Sequence, residues 1–325
     1  MTRLLAALLA ACCVAASCSA AFSQSDWPSK PVRIVVPYGP GGAADALGRV
    51  FAEALSTTLG KQFYVENRPG GGSLLGSEVV ARAEPDGYTF TLSGMSTHVL
   101  APAMNKNAGF DPVRDFTHIA YFGGAPNVFV VHPTFGVTSF RDFLARARTE
   151  PGGIEYVSPG VGSVGNLVAE YLAAKENIKL THVAYKGGAG ALLDLVAGHV
   201  KVGMMSFSTA REHVRAGNLV PLAVSSAARM SEFPDLPTLK ELGYPDLVAT
   251  TWWALSAPAG LSKDITEKVN AAINKSLDLP QVRKQLDQDG VEGKPMTPAE
   301  VTQFMRSEVD KWVPVVKSTA DGRKG

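Results

Sequence analysis

Beyond position 18 the chain has no cysteine, since Cys12, Cys13 and Cys18 all fall in the first two dozen residues. The remainder therefore offers no thiol for a disulfide framework, a Cys-ligated metal or a Cys nucleophile. An excess of either charge is also missing, with 31 Lys and Arg against 30 Asp and Glu. Such a chain is a poor electrostatic match for nucleic acid or a membrane surface. No apolar run reaches the roughly 20 residues that cross a bilayer. Catalytic signatures are absent as well. Ser163 has Val161 where a Gly-x-Ser-x-Gly elbow needs glycine. His98, His118, His132, His182, His199 and His213 are scattered without HExxH or other metal-ligand spacing. Acidic pairs such as Asp111 with Asp115 and Glu84 with Asp86 lie in turn-rich segments, where solvation accounts for them. No metal and no organic cofactor is expected.

What is present at the N-terminus reads as an export signal. Arg3 is the basic region, Leu4 to Ala16 the apolar region, and small residues at Ala21 to Ser23 offer a peptidase site. Cleavage is expected after Ser23, which removes every cysteine and leaves bases and acids equal in number. Leu9-Ala10-Ala11-Cys12 resembles a lipobox, but lipidation at Cys12 would leave an apolar region of only about eight residues and is not expected. The remaining chain of about 300 residues suits two domains, each with its own core.

Along that remainder, short β-branched runs lead repeatedly through Gly-rich or Ser-rich turns into amphipathic helices. VRIVVP leads through YGPGGAAD into a helix over Ala46 to Leu59, whose Leu47, Val50, Phe51, Ala54, Leu55 and Leu59 share one face and which Gly60 ends. TFTLSG, IEYVSPGVGS, LTHVAYKGG and VKVGMMSFS open the same kind of unit. Strands alternating with helices imply parallel sheets of the α/β class. Two extended stretches, Asn127 to Pro133 and Thr251 to Pro258, lead into no Gly-rich turn. They are read as two crossings between lobes, with a signal peptide at 1–23, a first lobe at 24–126 and 251–325, and a second lobe at 127–250.

The chemistry lies in the turns. A helix N-terminus presents unpaired N–H groups and partial positive charge, so Pro37, Tyr38, Gly39, Gly41 and Gly42 can hold an anion without any basic side chain. Asp45, in the first helical turn, is read first as a cap and second as a ligand contact. Ser158, Gly160, Gly162 and Ser163 form a turn of the same kind, in which Ser163 is alternatively an ordinary N-cap. Tyr185, Lys186 and Gly187 add a phenol and a cation. Ser93, Thr97 and His98 surround the turn after TFTLSG, and His98 is the histidine expected to face a cleft. Two lobes each carrying such turns suggest jaws closing on one small anion. The competing reading is a dinucleotide fold, because Gly39-x-Gly41-x-x-Ala44 follows a strand and Glu66 ends the next one. The export signal and the stiffening Pro37 and Pro40 argue against it.

WPSKPVRIVVPYGPGGAADALGR, VENRPGGGSLLGSEVVARAEPDGYTF, YVSPGVGSVGNLVAEYL, HVAYKGGAGALLDLVAGHV and PLAVSSAARMSEFPDLPTLKELGYPDL together resemble the Bug-type periplasmic solute receptors of tripartite tricarboxylate transporters. The resemblance covers nearly all of the chain after the signal. It implies a non-catalytic, two-lobed receptor of the type II periplasmic-binding class (a Venus flytrap) that grips a carboxylate between one turn from each lobe. It also implies a monomer that docks onto one large and one small membrane permease subunit. A sensor feeding a membrane kinase is the alternative role for such a receptor. Two departures from the family pattern stand out. Asn166 occupies a position where many relatives carry histidine, and Val202 to Ser208 lacks an acidic residue that many relatives have. The loss of that carboxylate favours a dicarboxylate, tricarboxylate or aromatic acid over an amino acid. Phe207 and Met205 are read either as pocket walls or as core.

Overall fold

The computed structural model describes residues 27–321 except Lys106, Ser231 and Asp289. The expected signal peptide and the alternative lipid site at Cys12 lie outside the described residues. Nine strands form one hydrogen-bonded array of two sheets, which one long strand joins by pairing in both; the expected crossing at Thr251 to Pro258 pairs only within the first sheet. In the first, β1 (Val32–Val36) lies between β2 (Phe63–Asn67) and β3 (Thr89–Gly94), all parallel. α1 (Ala43–Leu59) follows β1, buries Leu47, Phe51 and Leu55, and ends at Gly60, whose φ of 73° is open to glycine at little cost. It starts three residues before the expected Ala46, because its first turn carries no apolar periodicity to read. α2 (Leu74–Ala81) follows β2, while β3 feeds a π-helical turn, Met95–Leu100, that runs into α3 (Ala101–Met104).

β4 (Phe116–Val131) is the strand that joins the lobes. From Phe116 to Pro126 it pairs antiparallel with β9 (Thr250–Pro258). From Asn127 it pairs antiparallel with β7 (Val202–Ser206), and from Val128 with β8 (Val220–Val224) as well. The second sheet is completed by β5 (Ile154–Ser158), which lies parallel to β7 and to β6 (Leu180–Ala184). Its helices are α4 (Phe140–Thr149), α5 (Val164–Glu176), α6 (Gly188–Val196) and α7 (Phe207–Arg215).

These directions place the functional edges. β9 is antiparallel to both β3 and β4, so β4 leaves the first lobe in the direction in which β1, β2 and β3 end. In the second lobe, β5, β6 and β7 run against β4, so their ends point back toward the first. The carboxyl ends of six strands therefore face one another across the crossing, where α/β proteins bind ligands. At the crossing Asn127 is buried; its amide donates to Ser225 Oγ at 2.8 Å and its side chain to Thr251 Oγ1 at 3.1 Å.

The last three helices, α8 (Lys263–Ser276), α9 (Pro280–Gln288) and α10 (Pro298–Asp321), return to the first lobe. Ile273, Val282 and Leu286 join its core with Ile34, Phe51, Phe90 and Phe122. α10 does more. Its Trp312 and Val316 share one apolar cluster with Met95, Val99 and Leu100 of the first lobe and with Phe129, Val164 and Leu172 of the second.

Candidate functional site

In the turn from β1 to α1, Pro37 is buried and Gly39 and Gly42 are partly open. Asp45 is 5% exposed and accepts from the Gly41 N–H at 3.0 Å, Arg49 Nε at 3.0 Å and Asn67 Nδ2 at 2.9 Å. Burial would raise its pKa, but these bonds outweigh burial and hold it below the usual carboxylate value. Asp45 thus clamps the turn from inside, and the Gly41 amide is committed to it. Gly42 has no side chain with which to cap α1, which leaves the first amides of the helix for a ligand.

Tyr38 is half-buried, with its hydroxyl against Ser96 and Ser73. Burial pushes its pKa up to about 12, against the smaller lowering effect of the two serines, so the phenol stays protonated. Ser73 and Ser96 were not singled out in the sequence. The signal was there in Gly70-Gly71-Gly72-Ser73, another Gly-rich turn between a strand and a helix. α2 holds this loop against the first turn, for a Cβ on its Gly76 would lie 3.0 Å from Pro37 and 2.9 Å from the Arg68 carbonyl.

In the second lobe, the turn Ser158–Ser163 is tied largely to itself. Gly160 N–H donates to Ser158 Oγ at 3.2 Å, Gly162 N–H to Asn166 Oδ1 at 3.3 Å, and Ser163 caps α5 through the Asn166 N–H at 3.1 Å. Ser158 also meets His182 Nε2 at 2.7 Å. The neighbouring start, at α6, has no side-chain cap, because its N-cap is Gly187. Here the Tyr185 hydroxyl donates to Asp194, a bond that raises the phenol's pKa, and Lys186 is exposed. The two turns touch: a Cβ on Gly160 would sit 2.6 Å from the Tyr185 carbonyl oxygen. Across the gap, the position of a Cβ on Gly162 lies 3.6 Å from Met104 Sδ of the first lobe.

Other expected site residues are buried and engaged within the fold. Ser93 is fully buried, bonded to the Ala254 carbonyl at 3.1 Å and to Ser256 Oγ at 2.8 Å. Thr97 is buried on the Gly94 carbonyl. His98, expected to face a cleft, packs its ring 4.5 Å from Phe116 and 5.8 Å from Phe110, with its Nδ1 on Thr97. Phe207 and Met205 belong to the second lobe's core, with Phe207 packed edge-on against Phe233.

Few charges reach the facing turns. Across Pro37–Gly42, Arg68–Ser73, Gly94–Thr97, Ser158–Ser163, Tyr185–Gly187 and Ser206–Ser208 the only cations are Arg68, which pairs with Glu66, and Lys186. Glu66 is also held by Arg33 at 3.0 Å, so the acid a dinucleotide fold would place on a ribose is engaged. A charged groove of about 450 Å³ runs between α7 and α9, but Glu232 holds both Arg211 and Arg215 there and Asp278 holds Arg283. Among the described residues no group of three or more His, Asp or Glu could bind a metal ion.

Two α/β lobes joined by one long strand, with uncapped helix starts at the facing edges, define a two-lobed solute receptor of the periplasmic-binding class. Residues 47–320 match TctC, described as the tripartite tricarboxylate transporter family receptor, and the chain belongs to that family. This is a family of receptors and not of enzymes. Protein BugT of Bordetella pertussis is 31% identical over 320 residues, covering 98% of both chains. An R. palustris protein solved with adipate is 30% identical with a TM-score of 0.84, covering 90% of this chain and 98% of its own. MatC from Rhodopseudomonas palustris, solved with malate, is 29% identical with a TM-score of 0.83, covering 89% of this chain and all of its own, 100%. No described helix is long and apolar enough to cross a membrane.

Proposed function

We propose that the chain captures a small dicarboxylate, tricarboxylate or aromatic acid between its lobes in the periplasm and delivers it, as a monomer, to one large and one small permease subunit. The lobe division at 24–126, 127–250 and 251–325 belongs to this reading. The observation that carries it is the convergence of strand ends whose helices, α1 and α6, begin on glycine without a side-chain cap. A helix terminus contributes about 0.3 to 2 kcal/mol to an anion, and micromolar affinity needs about 8 kcal/mol. Direct hydrogen bonds and the exclusion of water on closure supply the difference. The adipate and malate bound by the two R. palustris relatives support a carboxylate ligand. A thermal-shift screen of organic acids on the chain lacking residues 1–23 tests the reading. An acid at about 100 times its dissociation constant adds about 2.7 kcal/mol of stability. A shift with nicotinamide dinucleotides and with no acid would replace the receptor by an oxidoreductase.

A further inference from the structure

We infer that His182 is a positioning residue of the ligand site: its Nε2–H occupies Ser158 Oγ and so leaves the Ser163 hydroxyl proton for the ligand's carboxylate. This rests on the receptor reading above. His182 of β6 lies beside Tyr156 of β5, with the two rings stacked at 4.9 Å. Its Nε2 is 2.7 Å from Ser158 Oγ, and its Nδ1 is 3.3 Å from Asn166 Nδ2. The Gly162 N–H can only donate, so it fixes Asn166 with Oδ1 toward the turn and NH2 toward the imidazole and the Tyr156 hydroxyl. An amide NH2 also only donates. Nδ1 is therefore the bare nitrogen of a neutral imidazole, and Nε2 carries the proton.

Ser158 is then full. A hydroxyl oxygen accepts two hydrogen bonds and donates one. Ser158 Oγ accepts from His182 Nε2–H and from the Gly160 N–H at 3.2 Å, and it donates to the Gly160 carbonyl at 3.1 Å. The Ser163 hydroxyl is a third donor within reach, at 3.2 Å, for which no lone pair remains. Ser163 Oγ itself accepts the Asn166 N–H as the cap of α5, so only its proton is uncommitted. Ser163 is partly exposed on the edge that faces the first lobe, where a neutral donor matches the acceptor oxygens of a carboxylate. The same tautomer excludes a Ser–His nucleophile pair, because a protonated Nε2 does not take the serine proton.

The test has two parts. Long-range ¹H–¹⁵N NMR of wild type in mildly alkaline buffer reads the His182 tautomer; Nε2–H is expected, and Nδ1–H overturns the inference. Calorimetric titration with adipate and malate then compares wild type, His182→Phe, His182→Gln, Ser163→Ala and the His182→Phe, Ser163→Ala double variant. Phenylalanine keeps a ring against Tyr156 but removes the donor, so Ser158 takes up the Ser163 proton. For an acid that binds wild type, His182→Phe is expected to lose about tenfold in affinity, the size of one hydrogen bond to a charged group. His182→Gln, whose NH2 supplies a donor to Ser158, should recover most of that loss. Ser163→Ala should cost as much in wild type and almost nothing more in His182→Phe, since both act through one proton. Additive losses, no recovery in His182→Gln, or wild-type affinity in His182→Phe overturn the inference while leaving the receptor reading intact. Failure of wild type to bind any organic acid overturns both.

Discussion

Asn166 serves the second turn as Asp45 serves the first. It is 3% exposed, accepts from the Gly162 N–H and donates to the Tyr156 hydroxyl at 2.8 Å. Asn166→Ala takes the acceptor from the Gly162 N–H, while the Tyr156 hydroxyl keeps Glu170, and we expect a loss of about 1 to 3 kcal/mol in urea unfolding together with weaker acid binding. Unchanged stability would mean that the turn is held by Ser158 and Ser163 alone. At the same scale, the placement of His98 shows where reading by residue type ends. Its position after a strand that closes on glycine suggested a cleft histidine. It lies instead in a π-helical turn, whose wider winding changes which side chains share a face, and it is buried among aromatic rings. Nothing in the order Ser96-Thr97-His98 announces that turn.

At the scale of elements, the glycines separate close approach from open backbone. Gly160 has φ 143° and no room for a Cβ beside the Tyr185 carbonyl, so Gly160→Ala should push the two second-lobe turns apart. A loss of more than about 1 kcal/mol and of measurable acid binding is expected in calorimetry. Gly42, with φ −94° and nothing within 4 Å of a Cβ, should accept alanine with its fold intact, as a melting curve would show. The strand–turn–helix units were legible because each turn's Gly or Ser cluster interrupts an apolar run. β4 was legible only in its second half, Asn127 to Val131. Its first half carries Gly123-Gly124-Ala125-Pro126 and reads as a break, yet the strand continues there. A Cβ on Gly123 would strike the Val291 side chain at 2.4 Å, so the glycine answers a chain passing alongside rather than a turn. Contacts of that kind, between residues far apart in sequence, leave no local pattern. The commitment of the Ser158–Ser163 amides to their own turn was hidden for the same reason, since it depends on His182 and Asn166 coming together beneath it.

For the whole molecule, two buried histidines predict a pH dependence. Burial lowers His118 to about 4 and, with the nearby His118, lowers His98 well below its usual value of 6.5. Both are neutral when folded, while the unfolded chain protonates them near pH 6.5. Their contribution is therefore fully present above pH 6.5 and declines as pH falls toward the folded values, by at most about 1.4 kcal/mol per pH unit for each. Urea midpoints should fall between pH 6.5 and 5, and less steeply in His98→Phe; a flat profile in wild type would contradict the buried neutral pair. The lobes also share a core through Trp312 and Val316 of α10. The central claim is that backbone amides at facing helix starts, and not basic side chains, hold the acid. Titration of the ¹⁵N-labelled protein with adipate or malate measures it most directly. The amides of Gly42, Ala43, Ala44 and Gly188 should shift together and saturate with one ligand. Saturation with those four unmoved, or with shifts confined to the Arg211, Arg215 and Arg283 groove, would contradict it.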